Sequence, residues 1–240
     1  MLSKTWPLVA LLALASCSGT SEAGADGAII TTDAPTETPT TLPYLGNSER
    51  QARPGGADSV TVHQALPTFD VLDQDGRHVT NQSLAGKVYL TDFFFATCPG
   101  ICPKMQSELL KVYQRYGQDA RVVFVSHTID PDHDSLPVLR DYARRLGVGT
   151  PSSHWRFVRG TTRPAAYALA QAYFTAAQTD LKAPGGIAHG GTIALVDDQG
   201  YVRGTYESLD STQVTRLLRE LPVLLKEVSA RQPGQPVVSQ

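Results

Sequence analysis

The alternation of apolar and polar residues divides the middle of the chain into short apolar runs and longer periodic segments. Residues 87–95 form a continuous apolar run, which is typical of a strand buried on both faces. Residues 101–116 then place Met105, Leu109 and Val112 at helical spacing. The pattern therefore predicts a buried strand that leads directly into an amphipathic helix.

The same alternation continues toward the C-terminus. The pattern predicts strands at 121–126 and 155–158, helices at 135–146 and 164–173, hairpins at 69–80 and 192–206, and a last helix that Asp210 caps and Pro222 kinks or divides. A short extended lead-in is expected between residues 43 and 66. Strands that alternate with helices indicate an α/β fold with a mostly parallel central sheet, helices on both faces and β-hairpin insertions. We therefore expect a thioredoxin-like architecture.

The N-terminal residues have the pattern of a targeting segment. A lysine at position 4 precedes an apolar run, and residues 14–17 read Leu-Ala-Ser-Cys, which resembles a bacterial lipobox. We expect a lipoprotein signal peptide at 1–16, lipidation of Cys17, a flexible tether at 17–42, the folded domain at 43–231 and a disordered tail at 232–240. The alternative is an ordinary signal peptide with a chance cysteine. Either alternative implies export, and lipidation would hold the domain on the extracytoplasmic or periplasmic side of a membrane.

Charge and cysteine count narrow the choice of function. The chain has 21 Lys and Arg against 23 Asp and Glu, so no overall positive charge favours nucleic-acid binding. Three cysteines are too few for a disulfide-stapled scaffold, so hydrophobic burial must hold the domain together.

Two of these cysteines stand where the buried strand enters its helix. Cys98 and Cys102 are four residues apart, so both sulfurs can face one point near the helix N-terminus, whose dipole stabilises thiolates. Two soft thiolates suit Cu(I) or Zn²⁺. The alternative is a structural disulfide, but so short a loop would restrict the unfolded chain very little. His189, in a glycine-rich segment before a predicted strand, is the best third ligand, although a lone loop histidine is by default packed or solvated.

These motifs resemble the Sco/SenC family of copper-binding, thioredoxin-fold assembly proteins. The resemblance runs from about residue 69 to 225 and includes Phe-Phe-Phe-Ala-Thr-Cys-Pro-Gly-Ile-Cys-Pro at 93–103, together with the motifs Asp-Gln-Asp-Gly at 73–76, Gly-Lys at 86–87, Val-Ser at 125–126, Asp-Pro at 130–131 with Asp134 following, and Leu-Val-Asp at 195–197. It implies that Cys98 and Cys102 are copper and redox thiols, that His189 is the imidazole ligand, and that Asp130 is the acidic residue near the site.

Three positions depart from the family pattern. Ala96 stands where the family often has Thr, and Ala188 and Gly190 flank the histidine where the family often has Asp and Ser. The departures concern the conformation of the histidine loop and the surroundings of the site.

The other histidines and Met105 have simpler roles than copper binding. His127 is an extra candidate near the site, but a solvent-facing position at a strand end is favoured. His133 is expected on a surface loop, and Met105 in the core because of its helical spacing. His63, His78 and His154 have no cysteine or acidic neighbour in the sequence and are given no role.

The resemblance implies a copper chaperone, loaded with Cu(I) or Cu(II), that helps to build the CuA centre of cytochrome c oxidase. Its partners would be the copper-binding subunit of the oxidase, a copper donor protein and, through the lipid anchor, a membrane. The alternative is a thiol–disulfide reductase that keeps the copper-ligand cysteines of the oxidase reduced. A peroxidase-like thiol protein is disfavoured, because only the fold supports it.

Overall fold

A seven-stranded sheet forms the centre of the protein, in a computed structural model that describes residues 38–52, 59–150 and 152–231. The described strands are β1 (Ser48–Ala52), β2 (Ser59–His63), β3 (Asp70–Asp73), β4 (His78–Thr80), β5 (Val88–Phe94), β6 (Val122–Thr128), β7 (Trp155–Arg159), β8 (Ala177–Thr179), β9 (Ile187–His189), β10 (Thr192–Val196) and β11 (Val202–Glu207). The described helices are α1 (Asn81–Leu84), α2 (Cys102–Tyr116), α3 (Leu136–Arg145), α4 (Arg163–Ala172) and α5 (Ser211–Arg231).

The central sheet is mixed, in the order β11-β10-β5-β6-β7-β3-β4. Only β5–β6 and β6–β7 pair in parallel, whereas the pairings of β10 with β5 and with β11, and of β3 with β7 and with β4, are antiparallel. The predicted mostly parallel sheet is therefore wrong outside its centre. The physical reason is that helical crossovers, α2 and α3, connect only β5, β6 and β7, while hairpins supply the outer strands.

Helices cover both faces of this sheet. Side chains of consecutive strand residues point to opposite faces. The Phe94 ring lies 4.9 Å from that of Tyr142 in α3, while the neighbouring Phe93 ring lies 5.8 Å from that of Tyr173, directly after α4. The two helices therefore pack on opposite faces, as the sequence predicts.

The N-terminal boundary of the folded unit lies earlier than predicted. Leu42 is 4% exposed, and its N–H donates to Glu227 Oε1 at 2.6 Å. The Arg203 guanidinium donates to the carbonyl oxygens of Leu42 and Pro43. The predicted tether at 17–42 therefore ends too late, because Leu42 already belongs to the core.

The extended lead-in predicted between residues 43 and 66 contains β1 and β2, although their pairing was not predicted. The single turn of α1 and the β8–β9 hairpin were not predicted. The last helix is continuous, and Pro222 does not divide it, because leucines on both sides of the proline are buried along one face. Asp210 caps this helix by accepting the N–H of Thr212 at 2.9 Å.

The predicted signal peptide, Cys17, most of the tether and the tail at 232–240 lie outside the described residues. Among the helices that are described, none is long and apolar enough to cross a bilayer.

Candidate metal centre

The structure brings together the three residues that the sequence singles out. Cys98 follows β5, Cys102 begins α2, and His189 ends β9. One ligand atom from each lies within 4.8 Å of the others. The Nε2 atom of His189 is 3.1 Å from Cys102 Sγ and 3.8 Å from Cys98 Sγ. Two segments that are 87 residues apart in sequence therefore converge on one point at the carboxyl end of β5.

Local backbone structure sets each of these side chains. The Cys98 N–H donates to the Phe95 carbonyl at 3.1 Å, which turns the chain sharply after β5. Pro103 occupies the first turn of α2, where its missing N–H leaves no bond unmade. The Nδ1 atom of His189 is 3.1 Å from the carbonyl oxygen of Gly190. An Nδ1–H that donates there leaves the Nε2 lone pair directed at the two sulfurs.

The two thiols have opposite acidities. Cys98 is half-buried, and a hydrogen bond from Cys102 lowers its pKa to about 4, with further help from backbone N–H groups. Cys102 is 1% exposed, and the proton it shares with Cys98, together with burial, raises its pKa. The pair is therefore best described as an accessible Cys98 thiolate that accepts a hydrogen bond from a buried Cys102 thiol.

A buried carboxyl group lies in the strand that leads to the site. Asp92 in β5 is fully buried, and it accepts hydrogen bonds from Ser126 Oγ at 2.5 Å and from Gln106 Nε2 at 2.6 Å. Burial raises the pKa of Asp92 to about 7, and the Asp92 charge in turn raises the pKa of Cys102. Asp92 is not among the predicted site residues, although a lone carboxylate inside a continuous apolar run is a readable signal in the sequence.

Asp134 contacts the loop that carries Cys98. Its buried carboxylate accepts the N–H of Ala96 at 3.0 Å and the hydroxyl hydrogen of Thr128. The β6–α3 connection is thereby tied to the backbone two residues before Cys98. In the sequence Asp134 stood out only as part of the family motif.

Asp130 makes its contacts elsewhere. Its carboxylate pairs with Arg163 of α4 and lies 2.9 Å from Nδ1 of His133, whose side chain is 71% exposed. Arg163 thus compensates the charge of Asp130 at the start of α4. The surface position expected for His133 is confirmed, and a role for Asp130 in the site stays a prediction.

His127 is buried, so the favoured solvent-facing position is wrong. The side chain is 3% exposed, stacks on Phe93 with ring centroids 5.1 Å apart, meets the Phe69 ring edge-to-face at 5.7 Å, and lies tilted against the Tyr173 ring at 6.1 Å. Burial lowers its pKa to about 3. The reason is that β6 continues to Thr128, two residues past the predicted end, so His127 is still a strand residue that faces the α4 side. The contacts of His127 are with these three aromatic rings, so this position does not support a role for it beside the cysteines.

The other donors have ordinary surroundings. Met105 is fully buried, which confirms its place in the core. His63 stacks on Tyr44 with centroids 3.9 Å apart. His78 has an acidic partner that its sequence neighbours do not indicate, because its Nδ1 lies 2.6 Å from Asp70 Oδ1 on the paired strand.

This arrangement defines an α/β protein of thioredoxin-like fold with a Cys-x-x-x-Cys pair and a histidine at one edge of the sheet. A model of the SCO1/SenC family matches residues 58–221. The chain belongs to the SCO1/SenC family, which confirms the identification made from the motifs.

Individual relatives agree with this family. The SCO1 protein homolog of Bacillus subtilis (strain 168) is 25% identical over 161 residues, which cover 67% of this chain and 82% of the relative. A putative copper-binding protein of Stutzerimonas stutzeri is 26% identical over 166 residues, covering 68% and 78%.

Solved structures show the same fold. A SCO1/SenC family lipoprotein from Bacillus anthracis str. Ames superposes with a TM-score of 0.60 at 26% identity, covering 67% of this chain and 95% of that one. ScoI of Bradyrhizobium japonicum, solved with copper bound, gives a TM-score of 0.54 at 24% identity, covering 65% and 99%.

Proposed function

We propose that the protein is a copper chaperone that holds one copper ion on Cys98, Cys102 and His189. The observation that carries this proposal is the convergence of two sulfurs and one imidazole nitrogen within 4.8 Å. Thiolates favour Cu(I), and imidazole binds copper in either oxidation state. The donor set therefore fits copper as the cargo of the site.

The comparisons support the same cargo. One relative of 26% identity is named a putative copper-binding protein, and a family structure of the same fold contains copper. The Sco family is described as a family of cytochrome c oxidase assembly proteins in the structure of its member BsSco. We therefore propose the CuA centre of cytochrome c oxidase as the destination, its copper-binding subunit as the partner, and a separate copper donor protein as the source.

The accessibility of the donors suits transfer. Cys98 and His189 are half-buried, whereas Cys102 is buried at the start of α2. An incoming ligand from a partner would meet the two half-buried donors first, while Cys102 still holds the ion. Three donors also leave a fourth position open for such a ligand.

A second candidate function is thiol–disulfide reduction, which the unequal thiols favour. The Cys98 thiolate would attack a disulfide of a partner, forming a mixed disulfide and releasing one partner thiolate. Cys102, after giving up its proton, would then attack Cys98 Sγ, release the second partner thiolate and close a Cys98–Cys102 disulfide. The partner gains two electrons and this chain loses two, so the copper-ligand cysteines of the oxidase would end reduced.

We further propose export and lipidation at Cys17, which would keep the domain at the extracytoplasmic face of a membrane. A family member of known structure is a lipoprotein. Replacing Cys17 by serine should move the protein out of the membrane fraction, and a mass spectrum with an unmodified N-terminus cleaved elsewhere would contradict the proposal.

Copper titration of the full chain tests the main proposal. With Cys17→Ser, Cys98 and Cys102 remain as the chain's two thiols. The reduced protein, in detergent, should bind one Cu(I) in competition with a chromophoric chelator. A Cys98→Ser/Cys102→Ser variant that binds copper as tightly as its parent would overturn the chaperone role.

Histidine variants separate the two candidate functions. His189→Ala should weaken copper binding but leave disulfide exchange measurable, because exchange needs only the two sulfurs. His78→Ala is the matched control, since this exposed histidine pairs with Asp70 on the sheet edge. If His189→Ala abolished exchange and left copper affinity unchanged, the proposed assignment of the histidine would be wrong.

A further inference from the structure

The turn that precedes β9 packs directly on the loop that carries Cys98. Gly185 has φ of +76°, and a Cβ atom built on it would lie 2.7 and 2.9 Å from two ring atoms of Phe95 and 3.7 Å from Cδ of Pro99. Phe95 is only 1% exposed, so its ring has no free space into which it could retreat. Only a residue without a side chain allows this contact.

The same ring also meets the ligand histidine. The ring centroids of Phe95 and His189 are 5.7 Å apart with the planes at 71°, an edge-to-face contact. Hydrogen bonds join the turn and the histidine in one hairpin, because Gly186 O accepts the Asp180 N–H at 3.0 Å and β9 pairs with β8 up to His189. One buried ring therefore touches this hairpin at its turn and at its imidazole.

We propose that Phe95 is a positioning residue, whose ring, seated against the bare backbone of Gly185, sets His189 at bonding distance from Cys98 and Cys102. The inference rests on the proposed use of these three residues as copper ligands. A side chain at position 185 would push the β8–β9 hairpin away from Phe95 and withdraw the imidazole, leaving a two-sulfur site.

The adjacent glycine provides a matched control. Gly186 has nearly the same backbone angle, φ of +77°, but a Cβ atom there would have no atom within 4 Å. Gly185→Ala and Gly186→Ala therefore impose the same left-handed backbone strain, and only the first adds a clash with Phe95.

The experiment compares these two variants in the full chain with Cys17→Ser, by copper affinity and by NMR of the copper-free protein. Gly185→Ala should lower copper affinity by about 10- to 100-fold, as supporting contacts of metal-binding histidines do. It should also remove the nitrogen signature from the Cu(II) EPR spectrum. In the copper-free protein it should abolish the nuclear Overhauser effects between the rings of Phe95 and His189. Gly186→Ala should leave all three readouts close to those of the parent.

A second pair of variants shows whether the ring itself is responsible. Phe95→Leu as a single change should weaken copper binding. Adding Gly185→Ala to Phe95→Leu should then lower the copper affinity no further. Equal effects of the two alanine variants in every readout, or full additivity with Phe95→Leu, would overturn the inference. If Gly185→Ala failed to fold, an unchanged affinity in Phe95→Leu would overturn it instead.

A failure of the proposed copper-chaperone function gives a different result from a failure of the positioning role of Phe95. A parent protein that bound no copper would refute the chaperone role. The Overhauser effects in the copper-free variants would still decide whether Phe95 and Gly185 position His189.

Discussion

Replacing Asp92 by asparagine should remove a large part of the pH dependence of folding. The carboxyl group is fully buried, and burial raises its pKa from the usual 3.8 to about 7. Because the folded-state pKa is the higher one, the folded protein holds the proton more tightly than the unfolded chain. The contribution of Asp92 to stability is therefore complete below about pH 4 and is lost as the pH rises through 7.

The size of the effect follows from this difference in pKa. Between pH 5 and pH 8 the free energy of unfolding of the parent should fall by about 3 kcal/mol through this group alone. The slope is about 1.4 kcal/mol for each pH unit over which the folded protein holds one proton that the unfolded chain has lost. Asparagine does not titrate and makes no such pH-dependent contribution. It also fits the local network, because the buried Oε1 of Gln106 has no partner among the described residues and could accept the new amide hydrogen after the Gln106 amide turns over.

Urea unfolding measures this contribution of Asp92 to the free energy of unfolding. The copper-free parent and Asp92→Asn are compared at several pH values between 5 and 8. The variant should gain about 3 kcal/mol on the parent across that range, since groups that titrate equally in both proteins cancel in the comparison. Asp132→Asn is the control, because that carboxylate is 65% exposed and should follow the parent. Parallel curves for Asp92→Asn and the parent would show that Asp92 is ionised in the folded protein throughout, and the reasoning would fail.

Three further predictions concern single side chains. Iodoacetamide at about pH 6 should modify Cys98 well before Cys102, as read by peptide mass, because only Cys98 combines exposure with a lowered pKa; equal rates would contradict the unequal thiols. His127→Phe should raise stability by about 1 kcal/mol at neutral pH, because it removes a buried Nε2 atom that has no hydrogen-bond partner within the described part of the chain. The gain in stability should grow as the pH falls from 6.5 toward 3, because in that range the imidazole binds a proton in the unfolded chain but not when it is buried in the folded protein. A difference in stability that stays constant with pH in urea unfolding would refute this. Arg203→Met should lower stability by about 3 kcal/mol, because the fully buried Asp197 carboxylate loses a partner 3.0 Å away; a loss near zero would mean that Arg231 compensates it.

The sequence predicted those parts of the fold in which one local signal outweighs its competitors. The continuous apolar run before Cys98 and the helical spacing after it leave little alternative to β5 and α2. The observed strand Val88–Phe94 is one residue shorter at each end than predicted, and the observed helix Cys102–Tyr116 starts one residue later than predicted. The direction of strand pairing has no such local signal. Whether β10 runs parallel or antiparallel to β5 depends on the path of the chain between α4 and β10, which carries only the three-residue strands β8 and β9 and a short turn between them.

The candidate site shows the same division between local and distant information. The helix start that presents Cys98 and Cys102 is encoded within a few residues, so the sequence alone indicates two sulfurs facing one point. The approach of His189 depends on a hairpin whose three-residue strands and glycine turn have no hydrophobic period of their own. What fixes that hairpin is a contact with Phe95, 94 residues before the histidine, and a prediction of it would require knowing that the ring and the bare glycine backbone face each other. Family resemblance identified the histidine without reference to this contact.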